Sequence, residues 1–190
     1  MADNLMDEAP RKGRLPSFDP EALDADARDV VGEIVGRRGR LPTPFRVWIN
    51  SPALARRLAP LGQFLATDTN LTKAEVELAV LIAAQHVHAR YVLAMHGREA
   101  VEAGLSESVV VAIEAGQRPD LSEARQRAVV DMMLALVGPG EPSQRVFGDA
   151  VAELGSAGVA EVIAVAGYFT AVGMAMKMYA VPVPVDTPSG

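Results

Sequence analysis

Residues 72–84, TKAEVELAVLIAA, are the stretch that most constrains the fold of this chain. Thr72 and Glu75 have the spacing of a capping box, so the sequence predicts that a helix begins here. Beyond the cap, apolar residues surround the predicted helix on nearly every side. Such a helix is stable only when other elements cover it all round. Glu77, which interrupts the apolar run, is therefore predicted to lie in a dry environment.

The composition supports a helical fold. Apolar residues make up 49% of the 190 residues, and aromatic residues only 5%. A β-sandwich would use more aromatic and β-branched residues, with regularly spaced turns. A chain of this length can also bury a sizeable core without a disulfide or a metal. We therefore predict an all-α protein.

Capping residues, glycines and prolines divide the rest of the chain into further predicted helices. Asp19 and Pro20 are predicted to begin the first, which ends near Gly39. Residues 41–45 are predicted to be an extended connector, and Pro60 to bend or split the next helix. The other predicted helices are Ser51 to Ala66, a segment after His88 that ends at Gly104, Ser106 to Gly116, Ser122 to Val137, Ser143 to Gly155 and Val159 to Tyr179.

Three regions are predicted along the chain. Residues 1–18 are polar and contain proline without a helical period, which predicts a flexible N-terminal arm. Residues 19–185 are predicted to form a single helical domain. Residues 186–190 are predicted to be a tail.

Charge and hydropathy exclude several partners. The net charge of −6 gives no basic footprint for a phosphate backbone, so nucleic acid is not expected as a partner. The first residues lack the apolar core of a signal peptide. The longest uncharged run, residues 162–176, is shorter than the roughly 20 residues that span a bilayer. We expect no membrane association and a cytoplasmic location.

The segment from Leu71 to Leu105 also carries a spaced motif, in which Glu77 is followed by Ala89, Val92 and His96. This spacing resembles the active-site segment of the alkylhydroperoxidase and carboxymuconolactone decarboxylase family. Redox members of that family have Glu, then Cys-x-x-Cys, then His four residues after the second Cys. Here Ala89 and Val92 stand at the two cysteine positions, and the chain contains no cysteine at all.

The resemblance covers roughly residues 45–185 and implies a helical alkylhydroperoxidase-like domain of about seven to eight helices. It also implies a break in the helix just before the first cysteine position, near His88. The aromatic residues near Tyr168, in the last predicted helix, are similar to the closing segment of the family. Family members usually form homo-oligomers, which implies an assembly based on dimers or trimers.

Glu77 and His96 are the candidate catalytic pair. A carboxylate and an imidazole brought together in an apolar core are suited to proton transfer. His88 is a further catalytic candidate, and the candidate substrate contacts are Arg90, Tyr91, Val92 and Tyr168. The structural alternatives are a capping or salt-bridge role for Glu77 and a core histidine at position 96.

Other chemistries have weaker support. His86 and His88 form an H-x-H pair, but residues two apart on a helix point in different directions, so we predict no metal site. The three lysines, Lys12, Lys73 and Lys177, lie outside the motif, which disfavours Schiff-base catalysis. No phosphate-binding or nucleotide-binding glycine motif is present, and no cofactor is predicted.

These observations lead to one main function hypothesis and two alternatives. The main hypothesis is a cofactor-free lyase-type enzyme that acts on a small lactone, carboxylate or aromatic-derived ring by decarboxylation, isomerisation or lactone hydrolysis. The first alternative is a family member that has lost catalysis and serves as a binding or assembly subunit. The second is a peroxidase-related activity without thiols.

Overall fold

A computed structural model describes residues 13–183, and within that range helices are the only regular secondary structure, with no strand. This confirms the predicted all-α class. The eight helices are α1 Ala25–Arg38, α2 Phe45–Trp48, α3 Pro52–Thr67, α4 Lys73–His86, α5 Arg90–Glu102, α6 Glu107–Glu114, α7 Ala124–Val137 and α8 Gln144–Met178.

Helix α4 is the centre of the fold. It packs against α3, α5, α6, α7 and α8, which explains why its sequence is apolar on every side. The predicted capping box is present: the Thr72 side chain accepts from the Glu75 N–H, and the Glu75 carboxylate accepts from the Thr72 N–H at 2.9 Å. All residues from Ala74 to Ala84 are buried.

Side chains from two other helices bind residues at the start of α4. The Arg125 guanidinium donates to both Glu75 carboxylate oxygens, at 2.8 and 3.1 Å. The backbone and side-chain N–H groups of Asn70 each donate to the Glu161 carboxylate at 2.8 Å. The start of α4 is therefore attached to both α7 and α8.

The predicted break after α4 is confirmed at Val87–Ala89. His88 has a φ of 54°, which is uncommon for a residue other than glycine. The Ala89 N–H donates to the Ala84 carbonyl at 2.9 Å, so the chain turns tightly before α5 begins at Arg90. Helix α5 packs back along α4.

Helix α8 is two helical segments joined at a kink. Gly155 interrupts it with φ 70° and ψ 170°, where the sequence predicted that one helix would end. Further along, α8 closely approaches the α4–α5 turn: a Cβ at Gly173 would lie 2.6 Å from Val87 Cγ2. Glycine at position 173 therefore permits this contact.

Two sequence predictions about element boundaries were wrong. Helix α1 begins at Ala25 with Asp24 as its cap, whereas the Asp19 carboxylate accepts from the Glu21 N–H in a turn outside the helix. The predicted extended connector ends at Phe45, where the short helix α2 begins. Pro60 does not split α3, which is one continuous helix. The positions of Pro60 and Arg56 are exposed, so water can bind the Arg56 carbonyl, which has no N–H partner at Pro60.

The predicted C-terminal tail and residues 1–12 of the predicted N-terminal arm lie outside the described residues. At the described edge of the arm, the Arg14 N–H donates to the Tyr179 carbonyl at 2.7 Å, and the Arg14 guanidinium donates to the Met178 carbonyl at 3.2 Å. Residues 13–14 therefore lie against the end of α8.

By length and composition alone, α8 could cross a membrane, contrary to the expectation from its longest uncharged run. Soluble core helices meet the same criterion. Here α8 packs against α4, α5 and α7, and Glu161 within it binds Asn70.

Candidate active site

A cavity of about 190 Å³ opens between α3, α4, α5 and α8 and the segment that joins α1 to α2. We call it the Glu77 cavity. Its lining residues are Arg38, Arg40, Pro42, Thr43, Pro44, Phe45, Gly62, Ala66, Lys73, Val76, Glu77, Tyr91, Val92, Met95, His96, Glu99, Tyr168, Phe169 and Val172. The cavity is smaller than the roughly 300–1,000 Å³ of sites for drug-sized ligands, so it suits a small molecule.

Glu77 and His96 are in direct contact. The Glu77 Oε2 and His96 Nδ1 atoms lie 2.8 Å apart. The Glu77 side chain is 1% exposed and the His96 side chain 18%, so the imidazole is the partner nearer to solvent. An ionised Glu77 accepts a hydrogen bond from Nδ1–H, which leaves a lone pair on His96 Nε2.

Lys73 and Glu99 complete a four-residue cluster. The Lys73 ammonium lies 2.5 Å from Glu77 Oε1, one helical turn away, and 3.0 Å from Glu99 Oε2. Glu99 Oε2 is also 3.8 Å from His96 Nδ1. A single ammonium thus bridges two carboxylates, one buried and one at the surface.

This cluster sets the protonation of its buried members. Burial alone would raise the pKa of Glu77, but the hydrogen bonds and charges of His96 and Lys73 outweigh it and lower that pKa. Burial opposes the charge on Lys73, yet the pKa of this amine is raised because Glu77 and Glu99 both bind it. Glu77 is therefore held as a carboxylate and Lys73 as an ammonium.

Aromatic rings form the apolar wall of the cavity. The Phe169 ring packs edge-on against the His96 ring at 5.1 Å, and Tyr168 packs against Phe169 at 5.3 Å. Trp48 continues the row, 5.7 Å from Tyr168. Burial raises the pKa of Tyr168 to about 12, so its phenol is neutral at physiological pH.

No family model and no curated protein matches the sequence. Solved structures do match. A peroxidase-related alkylhydroperoxidase AhpD core from Ralstonia eutropha JMP134 has a TM-score of 0.72 and 20% identity, over 93% of this chain and 94% of that one. This chain has the alkylhydroperoxidase fold.

Two further structures share this alkylhydroperoxidase fold. The debrominase Bmp8, as a cysteine-to-alanine variant in complex with 2,3,4-tribromopyrrole, has a TM-score of 0.69 and 14% identity, over 93% of this chain and 94% of that one. A protein from Agrobacterium tumefaciens, named for AhpD and antioxidant defence, has a TM-score of 0.64 and 16% identity, over 73% of this chain and 96% of that one. The resemblance noted in the sequence is confirmed at the level of the fold.

Within the alkylhydroperoxidase fold, several predicted site residues line the same cavity. Glu77, Val92, His96 and Tyr168 all do so, and Tyr91 lines its rim, where its hydroxyl donates to Thr43 Oγ1 at 2.9 Å. Val92 and Ala89, at the family's two cysteine positions, are both 2% exposed. An apolar side chain thus borders the Glu77–His96 pair.

The structure does not bring His88 or Arg90 to this cavity. Both are exposed, and they line a second depression beside Lys177 and Val181. The tight turn at His88 directs these neighbours of Ala89 away from Glu77.

The residues whose spacing could suit a metal ion are not the H-x-H pair, His86 and His88. Glu77, His96 and Glu99 offer donor atoms within 4.8 Å of one another, a spacing that could hold a cation. The Lys73 ammonium already supplies positive charge to both carboxylates of this group.

Several residues that line the Glu77 cavity were not predicted from the sequence. Lys73 is four residues before Glu77 and Glu99 three after His96, spacings that place side chains on one helix face and could have indicated the cluster. Arg38 and Arg40 reach the cavity from α1 and the following segment, for which no local pattern gives a signal.

Proposed function

We propose that this chain is a cofactor-free acid–base enzyme of the carboxymuconolactone decarboxylase-like type, acting on a small lactone, carboxylate or aromatic-derived ring. The contact of 2.8 Å between the buried Glu77 carboxylate and His96, at the wall of a small cavity, carries the proposal. Positioned acid–base groups of this kind accelerate proton transfers by about 10²–10⁴-fold.

In this proposal His96 exchanges a proton with the substrate, and Glu77 stabilises the protonated form of His96. His96 is the more exposed of the two, and its Nε2 lone pair can take a proton from a substrate carbon or a water molecule. The imidazolium that forms is stabilised by the Glu77 carboxylate behind it. Return of the proton to another carbon of the substrate completes an isomerisation. In a decarboxylation, the C–C bond to the carboxylate breaks, CO₂ leaves, and protonated His96 delivers a proton to the carbanion that remains.

Lys73 is assigned an electrostatic role. Its raised pKa keeps the amine protonated, and a protonated amine does not attack a carbonyl. The ammonium keeps Glu77 ionised, because it lies at 2.5 Å from Oε1. Glu99 fixes the ammonium from the other side at 3.0 Å.

The cysteine-free sequence disfavours thiol peroxidase chemistry. That reaction needs one thiolate to attack peroxide and a second thiol to resolve the sulfenic acid, and this chain supplies neither. The complex of Bmp8 with 2,3,4-tribromopyrrole is a case in which the same fold is found with a small planar ring. This supports a ring-shaped ligand for this chain. We do not propose that this chain carries out the debromination.

The test is a panel of small lactones, keto acids and ring carboxylates incubated in D₂O and followed by NMR for turnover and for deuterium at carbon. Glu77→Gln and His96→Ala should each reduce turnover by about 10²-fold or more. The double variant should fall little further, because residues that act as a unit are non-additive. Glu141→Gln, in an exposed loop, is the matched control and should retain turnover.

Near wild-type turnover in either single variant would contradict the assignment of proton transfer. If no compound is turned over, although some bind and protect the folded state, the alternative of a binding subunit without catalysis is favoured instead.

A further inference from the structure

The Glu77 cavity has a second polar end. Arg38 is the last residue of α1, and Arg40 follows it after Gly39, whose φ of 71° reverses the chain. Both arginines line the cavity, together with Phe45 at the start of α2. Two cations from one turn therefore border the same small space.

The charges that line this cavity do not balance. Three cations, Arg38, Arg40 and Lys73, face two carboxylates, Glu77 and Glu99. Both carboxylates are paired with Lys73, so the lining leaves the arginines uncompensated. This local excess of positive charge occurs in a chain whose net charge is −6. It favours an anionic ligand.

The two arginines differ in how they are held. The Arg38 guanidinium donates to the Ala59 carbonyl at 3.4 Å and lies 5.9 Å from the centre of the Phe45 ring. Arg40 is exposed and has no carboxylate partner among residues 13–183. Arg40 is thus the cation that remains available to a ligand.

The rim that carries Arg40 is fixed. Residues 42–44 are Pro-Thr-Pro, and prolines restrict the backbone on either side of Thr43. The Thr43 hydroxyl accepts from Tyr91 of α5 at 2.9 Å. A rigid rim lowers the entropy lost when an anion is bound there.

We infer that Arg40 is the specificity-determining residue of this cavity and that the ligand is a single ring carrying one carboxylate. The carboxylate binds Arg40, with Arg38 adding positive charge, and the ring lies against Phe45, Tyr168 and Phe169. This inference rests on the proposed function for the identity of the site, and it adds the chemical class of the ligand.

The test compares benzoate with benzamide, its neutral analogue of similar shape, as probes of the full-length protein. Trp48 is the only tryptophan and packs against Tyr168, so its fluorescence reports occupancy of the cavity. Benzoate should bind about tenfold or more tightly than benzamide, and added salt should weaken only benzoate. Arg40→Ala should remove this preference, and Arg40→Lys should retain part of it.

Arg37→Ala is the matched control, since Arg37 is exposed on α1 but does not line the Glu77 cavity. It should leave benzoate binding unchanged, and circular dichroism should show that each variant is folded. Equal binding of the two probes, no saturable benzoate binding, or wild-type preference in Arg40→Ala would each overturn the inference. Benzoate preference without any turnover would uphold it and count against the acid–base enzyme alone.

Discussion

Glu77 can lie in the core because two basic side chains reach its carboxylate. An isolated buried charge costs several kcal/mol, and the cost is offset only by well-placed partners. His96 Nδ1 and the Lys73 ammonium supply them, at 2.8 and 2.5 Å. The same contacts that permit burial also fix the tautomer that the proposed chemistry needs.

Glu77→Gln should make stability less dependent on pH on the acid side. Burial raises the pKa of Glu77, but His96 and Lys73 lower it overall, below the ordinary value of 4.5. Ionised Glu77 therefore stabilises the folded state above that value, and the contribution is lost as the pH falls through the lower folded pKa. At neutral pH the variant should be less stable by about 1–3 kcal/mol, because His96 and Lys73 lose a charged hydrogen-bond acceptor.

Urea unfolding at a series of pH values from about 7 to about 3 measures both effects. The wild-type curve should fall more steeply than that of Glu77→Gln as the solution is acidified. The control Glu141→Gln should follow the wild type. Parallel curves for wild type and Glu77→Gln would show that the carboxylate does not have a lowered pKa.

At the residue scale, the sequence predicted the Glu77–His96 pair but not the arginines that line the same cavity. Glu77 and His96 could be paired because their spacing in the motif resembles the family's active-site segment. His88 and Arg90 are equally close in sequence to the motif, yet a single left-handed residue turns them to another surface. Arg40 approaches through tertiary packing, which no local spacing encodes.

Among the elements, α8 depends on one residue for its shape. Gly155 has φ 70° and ψ 170°, a conformation that is essentially restricted to glycine. Gly167 lies in the helical part of α8 and is exposed, and a Cβ at this position would meet no other atom within 4 Å. The two glycines therefore provide a matched pair in one helix.

Gly155→Ala should destabilise the protein by about 1–3 kcal/mol, because alanine is strained at the kink. Gly167→Ala should stabilise it by about 0.5–1 kcal/mol, because alanine restricts the unfolded chain without any clash. Chemical denaturation of the two variants measures these opposite signs. A stabilising Gly155→Ala would mean that α8 is straight in solution.

Helix positions were predictable where caps and glycines are local signals. The capping box at Thr72 and the stop at Gly155 both occur as the sequence predicted. The start of α1 was wrong because Asp19 and Asp24 are equally good caps by type, and only packing of Ala27 and Val30 selects the second. Helix propensity alone does not distinguish between these two caps.

For the whole molecule, we predict a homo-oligomer based on dimers or trimers. Large apolar side chains remain exposed on α8 and α3, and a surface of this kind favours association. They are Phe147, Ile163, Met174, Met178, Leu54, Leu61 and Phe64. Light scattering coupled to size exclusion should give at least twice the chain mass of 20.1 kDa.

Ile163→Glu and Met174→Glu should shift the molecule towards monomer, because a buried charge opposes an apolar interface. Glu107→Gln, at an exposed position of α6, is the control and should leave the mass unchanged. A monomer of the wild-type chain at micromolar concentration would contradict the prediction.

The attachments at the start of α4 also determine when this region can be completed during synthesis. Asn70 binds Glu161, 91 residues later, and Glu75 binds Arg125, 50 residues later. Arg125 and Glu161 must therefore both emerge from the ribosome before the first turn of α4, which carries Lys73 and Glu77, can make its contacts with α7 and α8. Glu77 and His96 are only 19 residues apart, but the contacts around them are completed by residues of α7 and α8 that are translated much later.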